Sequence, residues 1–119
     1  MYQIVFYRNR KGIEPVYELL CQLRRNNNKD SRIKLNKIQD YIQALSVSGT
    51  NLPEKYLKHL QNDIWELRPG RYRILFAKTK EGYVLLHWFL KKTQKTPKRE
   101  LEQAEKEYID FLERSFDHE

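Results

Sequence analysis

Two β-rich runs, "DIWELR" and "RYRILFAK", are separated by Pro69-Gly70, and no other feature limits the fold as tightly. Proline fixes φ at about −65° and glycine accepts positive φ. The pair therefore predicts a tight turn with proline and then glycine as its central residues. A third run, "GYVLLHWFLKK", follows a second turn at Lys80-Glu81-Gly82. Three strands joined by two tight turns form an antiparallel meander. The third is apolar at nearly every position, which predicts a central strand covered on both faces.

The rest of the chain fits around this meander. "YQIVFY" (residues 2–7) is β-branched and aromatic and reads as a strand. Pro15 suits the first turn of a helix. Val16, Leu19, Leu20 and Leu23 follow at the spacing of one helical face, and Ile38, Tyr41, Ile42 and Leu45 repeat it. The polar stretch "RRNNNKDS" between them makes a helical hairpin, with Asp30 or Ser31 as the expected N-cap. "SVSGTNLPEKY" reads as a loop. Thr96 is expected to cap a last helix opened by Pro97, with Leu101, Ala104, Tyr108, Phe111 and Leu112 as its buried stripe. The order is β-α-α-β-β-β-α. It describes an α+β fold: a small, antiparallel-dominated sheet with an N-terminal helical hairpin and a C-terminal helix. Residues 1–119 are expected to form one domain.

Charge narrows the function. The chain carries a net +7, very unevenly spread. Residues 1–67 hold 11 Lys/Arg against 7 Asp/Glu, and residues 68–99 hold 10 against the single acid Glu81. Residues 100–119 reverse the sign, with 2 bases against 8 acids. Such a block points to a polyanion, most simply a nucleic acid. No apolar run approaches the roughly 20 residues of a membrane span, and the N-terminus lacks signal-peptide features. Cys21 is the only cysteine, which excludes an internal disulfide and thiol-rich zinc sites. A soluble cytoplasmic protein is expected, with no membrane partner.

Alternation along the second meander strand puts Tyr72, Ile74 and Phe76 on one face and Arg71, Arg73, Leu75 and Ala77 on the other. With Ile74 and Phe76 toward the helices, Arg71 and Arg73 point to the open face. Arg68 and Glu66 join them from the preceding strand if Trp65 and Leu67 face the core. Guanidinium groups offer paired N–H donors that match phosphate. A second basic group, "KKTQKTPKR" (residues 91–99), crowds Lys91, Lys92, Lys95, Lys98 and Arg99 at the start of the last helix. Lys58 and His59 lie just before the arginine strands. His87 sits in an apolar run and reads as a buried, hydrogen-bonded histidine, and His118 falls in a frayed tail. No His, Asp or Glu spacing suggests a metal site, no Ser or Cys triad is present, and no cofactor is expected.

"IWELRPGRYRILFA", followed by "VLLHWFLKKTQKTPKRELEQA", resembles the HigB branch of the RelE/ParE toxin superfamily, also called phage-derived Gp49-like. The resemblance covers most of the chain and fits the element order above. It implies a metal-independent endoribonuclease of a type II toxin–antitoxin system that cleaves mRNA on translating ribosomes. It also implies a HigA-type helix-turn-helix antitoxin as partner, through which operator DNA is reached. By the same resemblance Arg73 in "YRIL" matches the active-site arginine, Arg68 in "ELR" a second recurring basic position, and Lys92 the basic residue after the central strand. The tyrosine that many RelE-type enzymes carry near the C-terminus has no match. Arg73, Arg68, Lys92 and Lys95 are thus the candidate catalytic residues, and Lys58, His59, Arg71, Lys91, Lys98 and Arg99 the candidate RNA contacts. ParE-like inhibition of DNA gyrase and RNA binding without catalysis are the alternatives.

Overall fold

A computed structural model describes residues 1–117 of the chain, with side chains as far as residue 114; His118 lies outside the described residues. The elements are β1 (Gln3–Phe6), α1 (Pro15–Arg25), α2 (Lys29–Ser48), β2 (Leu57–Gln61), β3 (Ile64–Leu67), β4 (Tyr72–Lys78), β5 (Gly82–Leu90) and α3 (Lys98–Asp117). They build one mixed α+β fold. The sheet order is β1-β5-β4-β3-β2, with β1 parallel to β5 and every other pair antiparallel.

The expected meander has one more strand than the sequence suggests. β2 follows the expected loop, in a stretch assigned to no element, and pairs Leu57 with Leu67 and Lys58 with Glu66. Its side chains explain why it is hard to see: only Leu57 is buried, while Lys58, His59 and Gln61 are exposed. An edge strand needs no apolar alternation. The middle strand is β4, and β5 is its neighbour, buried on both faces from Gly82 to Leu86.

Both faces of the sheet are covered. Leu67, Ile74, Phe76 and Leu85 pack with Val16 and Leu19 of α1 and Ile38 and Leu45 of α2. On the opposite face Ile64, Leu75, Ala77, Val84 and Leu86 pack with Ala104 of α3. The face expected to be open therefore lies under α3 over most of its area. Burial of each large side chain contributes about 1.5–3 kcal/mol, so α3 is as much a part of the core as the helical hairpin. A bulge reinforces this: Leu75 pairs with His87 but Phe76 pairs with Leu85. The extra residue, Leu86, breaks the alternation. Leu86 joins the core beneath α3 while His87 reaches Glu100 on the same helix.

Local chemistry moved several boundaries. Asn28, not Asp30 or Ser31, caps α2 by accepting a 2.8 Å bond from the Ser31 amide. The Thr96 hydroxyl donates to Glu66 instead of serving the α3 amides, and the Pro97 carbonyl accepts the first bonds of α3 from Glu100 and Leu101. In α3 Leu112 is exposed and Glu107 is buried in the stripe. At the β3–β4 turn the Tyr72 amide bonds to the Pro69 carbonyl, so the central residues are Gly70 and Arg71. The turn is one residue later than expected, and the positive φ, 62°, falls at its first central position. Gly82 is needed for a different reason, because a Cβ there would lie 1.9 Å from the Gln3 carbonyl oxygen of β1.

Candidate functional site

The arginine cluster is organised by one buried carboxylate. Glu66 faces the α3 side of β3 and is only 2% exposed. Its Oε1 accepts from Arg68 Nε at 3.1 Å and lies 3.6 Å from Arg73 Nε. Its Oε2 accepts a 2.5 Å bond from the Thr96 hydroxyl. Arg68 and Arg73 therefore share one partner, Glu66. One carboxylate set between two guanidinium groups still leaves the group positive. Because Glu66 is buried, it orients both forks and the start of α3 together.

Arg73 is the more enclosed of the two, with 11% of its side chain exposed against 24% for Arg68. Its Nη1 donates to the carbonyls of Gly70 and Tyr72 at 2.8 Å each. Burial lowers its pKa, opposed by Glu66 and helped by Arg68. An arginine starts so high that it remains charged. Arg71 stands apart at the turn, where its Nη2 donates to the Lys91 carbonyl and its own carbonyl accepts from the Lys91 amide. That exchange ties the arginine turn to the end of β5.

The post-strand cations gather around a cavity of about 770 Å³ between the end of β5 and the start of α3. Lys92, Lys95, Lys98 and Arg99 line it, with Phe89, Thr96 and Glu100. Lys98 Nζ is 3.8 Å from Glu102, one turn along α3, which offsets its unfavourable place at a helix N-terminus. Thr96 lines the cavity and bonds Glu66, and Phe89 pairs across the sheet with Arg73. Through these two residues the cavity abuts the arginine pair, although none of the arginines in the β3–β4 turn lines it.

The other candidates divide. Lys58 pairs with Glu66 on β3 and so shares its face, exposed at the sheet edge. His59 lies on the opposite face, 4.9 Å from the Trp65 ring, with Nε2 2.7 Å from the Asn62 carbonyl. The structure does not bring it to the arginines. His87 is hydrogen-bonded as expected, to Glu100 at 3.2 Å, but is half-buried and not fully buried. Behind it lies Glu107, whose Oε1 has no hydrogen-bond partner and whose pKa burial raises from 4.5 to about 7. Among the described residues no group of His, Cys, Asp or Glu could hold a metal ion, and no helix is long and apolar enough to cross a membrane.

Two contributions escaped the sequence reading. The sequence places Glu66 beside the arginines but does not show that it joins them to Thr96. The signal was present in "WELR", where Glu66 and Arg68 are two apart on one strand and so share a face. The second comes from α2, where the Lys37 side chain lies beside Gly70 of the turn. Nothing in the sequence connects residue 37 with residue 70.

No curated protein matches the chain significantly in sequence. In structure it is similar to a chain of the YoeB-YefM complex from Staphylococcus aureus, with a TM-score of 0.55 and 11% identity. That match covers 77% of this chain and 99% of the other, a likeness of fold. The family described as phage derived protein Gp49-like (DUF891) matches residues 28–109, which include every strand of the meander, the arginine turn and most of α3. By this match over more than half of its length, the chain belongs to the phage-derived Gp49-like family.

Proposed function

We propose that this protein is the toxin of a type II toxin–antitoxin pair, of the HigB type, and that it cleaves mRNA on translating ribosomes without a metal. The observation that carries the reading is the convergence of Arg68 and Arg73 on a single buried carboxylate beside a lysine-lined cavity. Membership of the Gp49-like family and the fold shared with a chain of the YoeB-YefM complex support it.

RNA brings its own nucleophile. The 2′-OH attacks the adjacent phosphorus, its proton passes to a base, and the P–O5′ bond breaks as the 5′-oxygen takes up a proton. The products are a 2′,3′-cyclic phosphate and a 5′-hydroxyl. In this scheme Arg73 and Arg68 hold the phosphate and stabilise the charge of the phosphorane, the largest catalytic contribution of such sites. Lys92 and Lys95, exposed on the cavity rim, supply the proton-transfer groups. Lys58, Arg71, Lys91, Lys98 and Arg99 contact the flanking backbone. A HigA-type helix-turn-helix antitoxin holds the toxin inactive and carries it to operator DNA.

Induced expression followed by mapping of mRNA 5′ ends tests the reading, with wild type compared with Arg73→Ala. Codon-phased cuts that disappear in the variant, and that persist in a ribosome extract after EDTA once ribosome integrity is controlled, are expected. An Arg73→Ala protein that melts lower but cuts the same bonds would confine Arg73 to holding the sheet. Loss of plasmid supercoiling without cuts would favour gyrase inhibition, and binding without either would leave a non-catalytic RNA-binding protein.

A further inference from the structure

A second recognition surface lies beside the arginine turn, on the helical-hairpin side of the sheet. Tyr41 of α2 and Tyr56, just before β2, stand with ring centroids 4.8 Å apart and planes tilted by 44°. Both rings are half-buried: each packs against the core, and each lines a groove of about 500 Å³. Lys37 Nζ lies 5.9 Å from the Tyr41 centroid and Lys55 Nζ 5.0 Å from that of Tyr56. Asn36 and Asp40 complete the polar rim.

This groove adjoins the arginine turn from the side of the sheet opposite Glu66. The Arg68 amide donates to the Tyr56 carbonyl at 2.8 Å. The Lys37 side chain lies beside Gly70, its Cδ 4.0 Å from where a Cβ would stand at that position. Core packing alone asks only that the tyrosines be apolar. It does not ask for two rings opening onto one groove with a lysine over each.

We propose that Tyr41 and Tyr56 form a stacking platform for one unpaired nucleobase of the strand whose phosphate the arginine turn holds. The inference rests on the RNA-cleaving reading above and adds to it a place where the substrate's bases are gripped. The chemistry of the groove selects this occupant. A base stacks on the groove-facing side of the rings and displaces the Lys37 and Lys55 ammonium groups toward the adjacent phosphates, while Asn36 and Asp40 present an amide and an acceptor to the base edge. Ile33 and Ala44 also line the groove, but an acidic protein segment would meet the like charge of the Asp40 carboxylate.

The test uses the full chain and a fluorescein-labelled 2′-O-methyl hexaribonucleotide, which lacks the nucleophile and is not cut. Stacking on an aromatic side chain contributes about 1–3 kcal/mol per base. Tyr41→Leu and Tyr56→Leu should therefore each weaken binding roughly 5- to 150-fold. Tyr41→Phe should bind like wild type, because the ring and not the hydroxyl is used. A hexamer with one abasic position should lose a comparable factor against wild type and nothing further against Tyr41→Leu. The abasic series on unaltered protein remains decisive if a leucine variant fails to fold, since a wild type indifferent to base removal at every position overturns the platform. So does a Tyr41→Leu protein that melts like wild type and binds RNA unchanged, whether or not it has lost neutralisation by a co-expressed antitoxin. Wild type that fails to bind the hexamer at all overturns the platform, while the RNA-cleaving reading stands or falls separately on the mapped mRNA 5′ ends.

Discussion

Glu66 shows how one side chain sets the character of the candidate site. A buried carboxylate is tolerable only when cations or donors surround it, and here Arg68, Arg73 and Thr96 do so. The arginines gain fixed orientation in exchange for part of their charge. Glu66→Ala should destabilise the fold by about 2–3 kcal/mol, because two guanidinium groups would be left in a partly dry site without their partner. Glu66→Gln keeps the shape and the Thr96 contact but removes the charge, so it should lose less. Chemical denaturation of the two variants beside wild type checks the order, and equal losses would mean that the charge of Glu66 contributes nothing. The sequence revealed which side chains share a strand face here, because alternation is a local rule. It did not reveal that the face is covered. That depends on where α3 returns, and so Glu66 and Arg73 read as exposed.

The elements repeat this division between local and distant causes. α1 was legible because Val16, Leu19, Leu20 and Leu23 mark one helical face, and all four are buried. β2 was not, since Lys58, His59 and Gln61 gain their structure from pairing with β3 rather than from apolar pattern. In α3 the expected stripe included Leu112, yet Glu107 takes a buried position facing His87 of β5, with Glu100, Gln103 and Asp110 around it on its own helix. Burial raises the Glu107 pKa from 4.5 to about 7. Between those values the folded chain holds a proton that the unfolded chain has released. Stability should therefore fall as pH rises through this window and level off above it. Glu107→Gln should abolish that slope and stabilise the protein at pH 8 by an amount on the order of 2 kcal/mol, with little gain at pH 4.5. Thermal melts of both proteins across the window read this directly, and a wild type that gains stability from pH 5 to 7 would contradict it. At the β1–β5 junction Gly82→Ala must push a methyl group into the Gln3 carbonyl. A loss of about 1–3 kcal/mol or more is expected, measurable by the same melts.

Across the whole molecule the acidic C-terminal helix does not neutralise the basic block beside it. Glu105 bonds Gln61 and Asn62, Glu107 is buried, and Asp110 accepts from Tyr7, Arg10 and Arg114. Tyr7 and the two arginines hold the Asp110 pKa below the usual carboxylate range, so this clamp between α3 and the segment after β1 stays charged. Glu100 serves His87, and among the described residues of α3 only Glu102 reaches a cation of the basic block, Lys98 at the first position of the helix. Among the described residues Lys92, Lys95 and Arg99 have no ion-pair partner. Three unpaired cations around one cavity raise the local potential wherever the net charge of the chain lies, and that separates a site from a generally basic surface. The two ideas differ in a measurable way. Binding of a single strand weakens with salt in proportion to the phosphates neutralised, with a slope of about −0.7 for each in a plot of log K against log salt. Replacing Lys92, Lys95 and Arg99 together by alanine should flatten the slope for the 2′-O-methyl hexamer by about 2. Replacing Arg24, Arg25 and Lys29, exposed on the helical hairpin, changes net charge equally and should leave the slope nearly unchanged. Equal flattening by both triple variants would show that net charge alone attracts the strand, and the cavity would then lose its claim to the backbone.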